Sequence, residues 1–355
     1  MATTIQYKRD TAANWTSNNP TLAAGEFGVE TDTGKFKVGD GSTAWSSLNY
    51  FEPEAPSGPS YSFQGSTSGY TSGGNCFGNA NVIDKFPFSS DSNATDVGDL
   101  TAARREVAGQ SSSDNGYSSG GLTNANVIDK FPFSSDANAT DVGDLTVGRR
   151  YVAGQSSSTC GYASGGTDNP SNPSCNIIEK FSFSTDGNAT DAADLTAPRR
   201  EVTGQSSSTH GYTSGGKNTD NPFSTQNTNI IDKFPFSSDT NATDVGDLLA
   251  CRAFHAGQSS TTHGYATGGY APYTNTIQKF SFTSDGNATD VGDLLAAGSS
   301  SAGQSSTANG YASGIVGPPS PGRNTIQKFP FASDANATDV GDLTVARWAS
   351  AGQQV

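Results

Sequence analysis

The sequence predicts an all-β protein in which a six-bladed β-propeller follows a small, β-rich, β-prism-like module at the N-terminus. The first observation is a motif that recurs six times between Gly69 and Val355. Each copy contains four short strand candidates separated by Ser, Asn, Asp and Gly, without helical periodicity. The Tyr residues of successive Gly-Tyr pairs lie 45 to 53 residues apart, a period typical of four-stranded propeller blades.

The repeats combine a frame of constant length with one loop of variable length. The Phe of each Lys-Phe pair and the Tyr of the next Gly-Tyr pair are always 31 residues apart, as between Phe86 and Tyr117. The interval from that Tyr to the next Phe varies from 14 to 22 residues. Because surface loops tolerate insertions and often carry binding residues, this arrangement is typical of a binding scaffold.

The four strands of one copy differ in residue size. Residues 107–112 read Val-Ala-Gly-Gln-Ser-Ser, and such small side chains suit an innermost strand, where blades crowd near the axis. The third strand carries Ile128 and Phe131, which fill the wider gap between diverging blades, while the Asp-rich fourth strand suits the solvent edge. Pro132 within the third strand lacks an N–H, so we expect a bulge or a short fourth strand there.

The ring has one more candidate for a first strand than it needs. Residues 62–66 and residues 348–353 compete for this place in the first blade, and the second segment matches the repeat pattern better. We therefore predict that the C-terminal strand completes the first blade and removes the open edges. The predicted propeller spans 61–355, with repeats near 69–115, 116–160, 161–210, 211–263, 264–309 and 310–355.

Residues 1–50 form a separate module of short extended segments, Glu26–Glu30 and Lys35–Val38, between frequent turns. So small a unit buries little apolar surface alone, so we expect it to oligomerise. Residues 51–60 contain three Pro and two Glu and predict a linker. The residues expected to attach the module to a particle or to its own copies are Trp15, Phe27, Val29, Phe36, Trp45 and Leu48.

Composition argues against several classes of function. The formal net charge is −14 and no run of Lys or Arg occurs, so nucleic acid is not expected as a partner. No apolar stretch approaches the length of a membrane span, and Met1 to Asp10 lack the features of a signal peptide, so neither membrane insertion nor export is expected.

The sequence predicts no metal, cofactor or catalytic residue, and hence a protein that is not an enzyme. The four cysteines lack the spacing of metal ligands, and the three His lack partnered carboxylates. Asp91, Asn93 and Asp96, which recur in each copy, are compatible with calcium ligands or with Asx turns. The Asn-Ala-Thr motif that begins at Asn93 favours turn chemistry over glycosylation.

Strands in a blade alternate in direction, so the variable loop between the second and third strands shares a face with the connection to the next blade. Host recognition and neutral variation in length both explain these loops. The Arg residues of the connections serve either a ligand or the structure, through pairing with Asp or with carbonyl groups. The candidate ligand-binding residues are Phe77, Leu122, Asp168, Asn172, Lys217, Phe223, Tyr270, Tyr273, Arg323, Arg105, Arg150, Arg200 and Arg252.

The repeats resemble the kelch family over about residues 62 to 355. The shared features are a Gly-Gly pair closing the second strand, an aromatic residue in the third and an Arg before the first. The resemblance implies a β-propeller. The chain departs from it in lacking the Trp near the end of each repeat, in having Phe at the aromatic position, and in the sequence Gly314-Ile315 of the sixth copy.

Residues 6–50 resemble the N-terminal module of bacteriophage tail fibres and appendages of the major tropism determinant type. The similarity follows Gln6 to Trp15, Leu22 to Asp32 and Gly39-Asp40-Gly41 in order. It implies a trimeric fibre whose N-terminal part faces the particle, so that a homotrimer and other virion proteins are the expected partners.

Together these features predict a virion structural protein, a tail or neck fibre or appendage, whose propeller presents variable loops for host recognition. The expected external ligand is a host surface glycan or protein. One alternative is a purely structural component of the particle without an external ligand. A second is a propeller hydrolase that acts on a surface glycan, which a solvent-exposed pair of carboxylates in the mouth of the ring would support; the sequence marks no such pair.

Overall fold

The computed structural model describes residues 7–51, 63–122, 125–169, 172–218, 227–318 and 320–355. The chain divides into two compact units, residues 1–60 and residues 61–355. Apart from Phe51, the expected linker lies outside the described residues.

The first unit contains a three-stranded sheet, in which β2 pairs in parallel with β1 and antiparallel with β3, together with two short helices. Its elements are β1 (Lys8–Asp10), α1 (Ala12–Asn18), β2 (Phe27–Glu30), β3 (Phe36–Val38) and a 3-10 helix (Trp45–Ser47). The sequence analysis did not predict α1. This helix begins after Thr11, whose hydroxyl accepts a bond from the Asn14 N–H, and ends at Asn19 in the left-handed conformation.

Two tryptophans form the core of the first unit. The rings of Trp15 and Trp45 stack with centroids 4.2 Å apart and, with Leu22, make one buried cluster. Gly28 faces this cluster, and a Cβ there would lie 2.5 Å from the Trp45 ring. A glycine in β2 is therefore required by the close approach of the indole.

The second unit consists almost entirely of β-strands. In chain order they are β4 (Ser68–Ser72), β5 (Val82–Pro87), β6 (Thr95–Asp99), β7 (Ala108–Ser111), β8 (Asn115–Ser119), β9 (Val127–Pro132), β10 (Thr140–Asp144), β11 (Ala153–Ser156), β12 (Cys160–Ser164), β13 (Thr167–Asn169), β14 (Asn172–Ser174), β15 (Ile177–Ser182), β16 (Thr190–Asp194), β17 (Thr203–Ser206), β18 (His210–Ser214), β19 (Ile230–Pro235), β20 (Thr243–Asp247), β21 (Ala256–Ser259), β22 (His263–Thr267), β23 (Thr274–Ser281), β24 (Thr289–Gly298), β25 (Ala302–Ser305), β26 (Asn309–Gly317), β27 (Ser320–Pro330), β28 (Thr338–Asp342) and β29 (Ala351–Gln354).

These strands form six antiparallel four-stranded sheets within the described residues, which are the blades. From the inner to the outer strand, blade 1 is β29-β4-β5-β6, blade 2 is β7 to β10, and blade 3 is β11-β12-β15-β16. Blades 4, 5 and 6 are β17 to β20, β21 to β24 and β25 to β28, and β13 and β14 form a separate hairpin. The inner strands contact one another in a closed cycle around an axis. The predicted all-β class with a propeller architecture is confirmed.

Blade 1 is built from both ends of the unit. Its inner strand β29 pairs with β4, so that Gln353 lies opposite Tyr70. The competing early segment takes another path, in which the N–H of Gly65 donates to the Ser305 carbonyl at the end of β25, in blade 6. The C-terminal strand therefore joins the last blade to the first.

Small residues in the inner strands are required because these strands nearly touch. A Cβ at Gly154 would lie 2.1 Å from the carbonyl oxygen of Gly109 in the preceding blade. A glutamine in each inner strand then bonds to the next blade, as when Gln155 Nε2 donates to the Tyr212 carbonyl at 3.0 Å. Farther from the axis, Tyr117 packs against Phe181, which lies in the third strand of the next blade. The bulky third-strand residue thus fills the gap between blades, as predicted.

The prolines in the third strand are accommodated in one of the two expected ways, because pairing with the outer strand ends before them; the bulge in that pair lies at Asp129 and Ile128, away from Pro132. Pro132 lies opposite Asn115 of β8, but pairing with the outer strand β10 ends at Lys130, two residues earlier. The register of that outer pair also shifts between Asp141 and Gly143. The missing N–H of proline therefore costs no bond between the two outer strands.

A buried ion pair, which we call the arginine clamp, holds the connection between blades. Arg199 Nη2 donates to Asp232 Oδ2 at 2.6 Å, both side chains being fully buried, and Arg199 also donates to two carbonyl groups. The carboxylate of Asp232 also accepts bonds from the N–H and hydroxyl of Thr196. The other clamps are Arg104–Asp129, Arg149–Glu179 and Arg347–Asp84.

The recurring Asn of the Asn-Ala-Thr motifs links neighbouring blades. Asn138 Oδ1 accepts a bond from the Asp99 N–H of the preceding blade, and the equivalent bond is present at all six junctions. No group of three or more His, Cys, Asp or Glu suited to a metal occurs among the described residues. In the same part of the chain, no helix is long and apolar enough to cross a membrane.

Candidate functional site at the loop face

One face of the ring carries both the variable loops and the connections between blades, and we call it the loop face. The two segments meet directly: the Leu122 N–H donates to the Arg105 carbonyl at 2.9 Å. Thr167 forms the equivalent bridge to Arg150, and Lys217 to Arg200. Each variable loop therefore starts beside the connection that leads into its own blade.

The loop residues predicted from the sequence are unequally exposed. Phe77 is 84% exposed, and its ring lies edge-on to Trp348 at 6.3 Å. Tyr270, 47% exposed, packs against Tyr273 with centroids 4.9 Å apart. These two aromatic pairs are the prominent apolar features of the loop face among the described residues.

The other predicted loop residues are less informative. Leu122, Lys217 and Arg323 are half-buried, and the Arg323 guanidinium donates to the Pro318 carbonyl at 2.7 Å. Asp168 is exposed. Phe223 and the side chain of Asn172 lie outside the described residues.

The structure separates the four predicted arginines into two groups. Arg105, Arg150 and Arg200 lie on the loop face near carboxylates, as described below. Arg252 instead occupies a clamp position, since its carbonyl accepts a bond from the Gly216 N–H just as the Arg199 carbonyl accepts from Gly166. Its backbone therefore matches that of the clamp arginines, whereas its side chain is half-buried.

Six residues surround the axis at the centre of the loop face, and we call them the axial ring. Each has a left-handed backbone conformation, with φ between +55° and +62°. The N–H of each residue donates to the carbonyl of its counterpart in the preceding blade, at 2.7 to 3.1 Å, and the six bonds close a circle. The axial ring consists of Glu106, Tyr151, Glu201, Phe254, Ser300 and Ala349.

Although their backbones are equivalent, the side chains of the axial ring differ. They line a cavity of about 80 Å³, with residues such as Val152 and His255 below them. Phe254 and Tyr151 contact each other edge-to-face with centroids 5.4 Å apart. The cavity therefore has an aromatic wall and two glutamates.

Arginines of the loop face surround the two glutamates. Arg105 Nε donates to Glu106 Oε1 at 3.2 Å, and Arg150 Nη1 lies 3.5 Å from Glu106 Oε2. Arg200 Nε lies 3.4 Å from Glu201 Oε1. The glutamate side chains are only 7% and 10% exposed, so their charges lie in a poorly hydrated environment.

Burial shifts the protonation of several groups in and below the cavity. It raises the pKa of the Glu201 carboxyl, against the opposing effect of Arg200. Burial also raises the pKa of the Tyr151 hydroxyl, and the charge of Glu106 acts in the same direction. Burial lowers the pKa of His255 to about 4, so this imidazole is neutral near pH 7.

The opposite end of the central channel contains Phe63, which lines the channel with the small residues of the inner strands. The carbonyl of Phe63 accepts a bond from Gln354 Nε2, and the side chain of Gln64 donates to the Ser259 carbonyl. Since these partners end the inner strands β29 and β21, the segment crosses the face opposite the loops. The axial ring and its cavity therefore lie at the end of the channel nearer the loops.

The sequence analysis missed Glu106, Tyr151 and Glu201 because it compared copies for what they share. The short connection before each inner strand was treated as framework, and the variation two residues after each clamp arginine was disregarded. A signal was available, since Glu, Tyr, Glu, Phe, Ser and Ala occupy that position in otherwise similar copies.

In the first unit, the structure divides the residues predicted to attach it to a particle. Trp15 and Trp45 are buried in the core, because their rings stack on each other, so they do not form a contact surface. Val29, Phe36 and Leu48 are half-buried. Phe27 is 40% exposed and packs near Tyr7, which is 56% exposed.

Comparisons with known proteins identify the first unit more clearly than the propeller. Residues 5–43 match the family described as major tropism determinant N-terminal domain. A protein of Streptococcus pyogenes phage H10403 named "Hyaluronoglucosaminidase" is 43% identical over 49 residues, which cover 14% of each chain. These matches support a phage tail-fibre type of protein and a place in the virion.

The solved structure titled "Structure of YjhT" is similar to the chain with a TM-score of 0.59. The alignment covers 71% of this chain and 88% of YjhT at 12% sequence identity. YjhT is a β-propeller, and at this identity the similarity shows the fold alone.

The phage relative named as a hyaluronoglucosaminidase contradicts our prediction that the chain is not an enzyme. That prediction rested on the lack of metal-ligand spacing among the cysteines and of carboxylates beside the histidines. Glu106 and Glu201 interrupt the repeat pattern, and both line the cavity at the axis. They are only 7% and 10% exposed and lie beside arginines, so they are not the solvent-exposed carboxylate pair named above as a sign of a hydrolase.

Proposed function

We propose that the chain is a structural protein of a phage virion, a tail or neck appendage whose loop face recognises the host surface. The match of residues 5–43 to the tropism determinant domain carries the proposal. We further propose that the first unit binds other virion proteins and assembles as a homotrimer.

The architecture of the propeller supports this role. Phe63 and Gln64 contact the ends of the inner strands β29 and β21, on the face opposite the loops. Phe77 and Tyr270 are exposed on the loop face, and aromatic side chains are enriched where proteins bind partners. The kelch resemblance of the repeats is part of this proposal and agrees with a scaffold for variable loops.

The proposal is tested with virions of the phage that encodes the chain. Mass spectrometry of purified particles should detect the chain, and particles carrying Phe77→Ser with Tyr270→Ser should adsorb more slowly to the host. Lys180→Ala, which removes an exposed ion pair with Asp239, is the matched control and should leave adsorption unchanged. Virions without the chain, or normal adsorption by the aromatic variants, would contradict the proposal.

A second candidate function is hydrolysis of a glycan, favoured by the name of the phage relative and by the two glutamates of the axial ring. Glycosidases typically use a protonated carboxyl to donate a proton to the leaving oxygen, and an ionised one as base or nucleophile. Burial raises the pKa of Glu201, which suits the proton donor, while Glu106 lies beside two arginines.

Hyaluronan is the substrate to test, because the relative is named for its cleavage. New reducing ends should accumulate with the full chain and should disappear in Glu201→Gln. Lys180→Ala, which removes an exposed ion pair with Asp239, serves as the control variant and should leave the activity unchanged. Activity that persists in both Glu201→Gln and Glu106→Gln would exclude the axial ring as its source.

A further inference from the structure

We propose that the cavity enclosed by the axial ring binds one hydroxyl-rich sugar residue. The inference rests on the proposed host-recognition function, because a host glycan would supply that residue. It also names a specific place on the loop face, at the axis rather than at the exposed aromatic pairs of the loops.

Unused hydrogen-bonding capacity at the cavity is the first argument. The Glu106 side chain is 93% buried by the exposure given above, and its Oε2 atom, which lies 3.5 Å from Arg150 Nη1, makes no hydrogen bond among the described residues. The Nε atoms of Arg150 and Arg200 are also buried without a hydrogen bond in that part of the chain, as are those of the clamp arginines, and Arg200 Nε lies 3.4 Å from Glu201 Oε1. Such groups cost free energy unless a ligand or water pairs with them.

The kind of unused group identifies the chemistry of the ligand. Glu106 Oε2, which has no hydrogen bond, lies beside the guanidinium of Arg150, so a partner that both donates and accepts can bond to the two groups together. A hydroxyl group does both, whereas a carboxylate only accepts and an ammonium group only donates. Three guanidinium groups beside two carboxylates leave the site nearly balanced in charge, which favours neutral polar groups over a free ion.

The shape of the cavity supplies the second argument. Tyr151 and Phe254 form an aromatic wall on one side of the axial ring, and Ser300 and Ala349 leave space on the other. A sugar has hydroxyls at its edge and C–H groups on its faces, so it matches a polar rim beside an aromatic wall. The hydrogen-bonded backbone holds all of these side chains in place before a ligand arrives.

The test uses ligand-observed NMR on the full chain with D-glucose, D-galactose, N-acetyl-D-glucosamine and D-glucuronate at millimolar concentration. At least one sugar should show saturation transfer. Glu106→Ser should weaken its binding by roughly tenfold to a hundredfold, the loss expected for hydrogen bonds to a charged group. Ser300 already adopts the same backbone conformation, so this substitution is compatible with the fold.

A second variant keeps the inference testable if Glu106→Ser perturbs the arginines. Ser300→Phe fills the cavity without removing a polar group of the glutamate side, and Phe254 shows that an aromatic residue fits this backbone. It should abolish binding, whereas Lys180→Ala on the outer rim should not change it. Absence of transfer to all four sugars, or binding that survives both cavity variants, would overturn the inference.

The inference and the proposed function can fail separately. If no sugar binds but virions lose adsorption with the aromatic loop variants, the loops recognise the host and the axial cavity does not. If a sugar binds in the cavity but the chain is absent from virions, the site is real and the proposed place in the particle is wrong.

Discussion

Two positions lie only two residues apart in the connection between blades. Both recur in every blade, but they differ in how much the residue type varies and in what the side chains contact. The position of Arg199 holds Arg in five of six blades, and four of these arginines pair with a buried carboxylate. The position of Glu201 holds five residue types in six blades on one constant backbone conformation. The first position fixes the spacing of the blades, and the second presents different chemistry to one cavity.

In a repeat protein, variation of residue type between copies indicates function most clearly where the backbone conformation is constant. In the long loops, residue type and loop length vary together, so neutral drift explains the variation as well as function does. At the axial ring the hydrogen-bonded circle prevents variation in length. Variation limited to the side chains therefore points to a ligand.

Deletion of Trp348–Val355 opens the ring and should have the largest effect. It removes strand β29 and the axial residue Ala349, which leaves the inner edge of β4 unpaired and removes the contacts that β7 and β25 make with β29. We expect loss of the cooperative unfolding transition of the propeller in calorimetry. Trp348→Ser, which copies the Ser299 position of blade 6, should remain folded; a stable fold after the deletion would contradict the closure of the ring.

Arg199→Gly tests the clamp and should lower the free energy of unfolding by about 3 to 5 kcal/mol, because it leaves Asp232 buried without its cation. Blade 6 suggests a compensating substitution, because Gly298 and Gln327 occupy there the positions equivalent to Arg199 and Asp232. Adding Asp232→Gln to Arg199→Gly should therefore restore most of the stability in urea denaturation. An equal loss in single and double variants would show that the buried charge is not the cause.

His255→Val should alter the pH dependence of stability, because blades 2 to 4 have Val at the equivalent position. Burial lowers the pKa of folded His255 to about 4, from an ordinary value near 6.5. As pH falls from 6.5 to 4, the unfolded chain binds a proton at His255 and the folded chain does not. The histidine therefore lowers the free energy of unfolding over this range, by about 3 kcal/mol at pH 4. Denaturation at several pH values should show that the free energy of unfolding of the variant increases relative to the wild type as pH falls from 6.5 to 4. The same pH dependence in both proteins would refute this.

Glu201→Ser should have the smallest effect on folding, less than about 1 kcal/mol, since Ser300 occupies the same backbone position. Burial raises the pKa of folded Glu201, so the ionised carboxylate costs stability at neutral pH and this cost disappears at acidic pH. The variant should be at least as stable as the wild type at pH 7, and its relative advantage should shrink near pH 4. A large loss at pH 7 would make the axial ring part of the framework, and the comparison would fail.

The framework could be predicted from the sequence because its causes are local and repeated. Small residues mark the inner strand, bulky ones the third, and a spare copy of the first strand places the C-terminus in blade 1. Helix α1 was missed because seven residues with one buried side chain, Trp15, give no periodic pattern. The axial cavity is harder to predict, because its six contributors are far apart in the chain and non-glycine residues with positive φ leave no mark in composition. The variation of residue type at one position of the repeat is the signal that indicates it.

The circle of hydrogen bonds beneath the axial ring has a consequence for how such a protein can change. Its six positions together hold acidic, aromatic, hydroxyl and methyl side chains with the same backbone geometry. New combinations thus require point substitutions only, with no insertion, no change of register and no adjustment in neighbouring blades. The same six positions offer protein designers a small set of interchangeable attachment points around one axis.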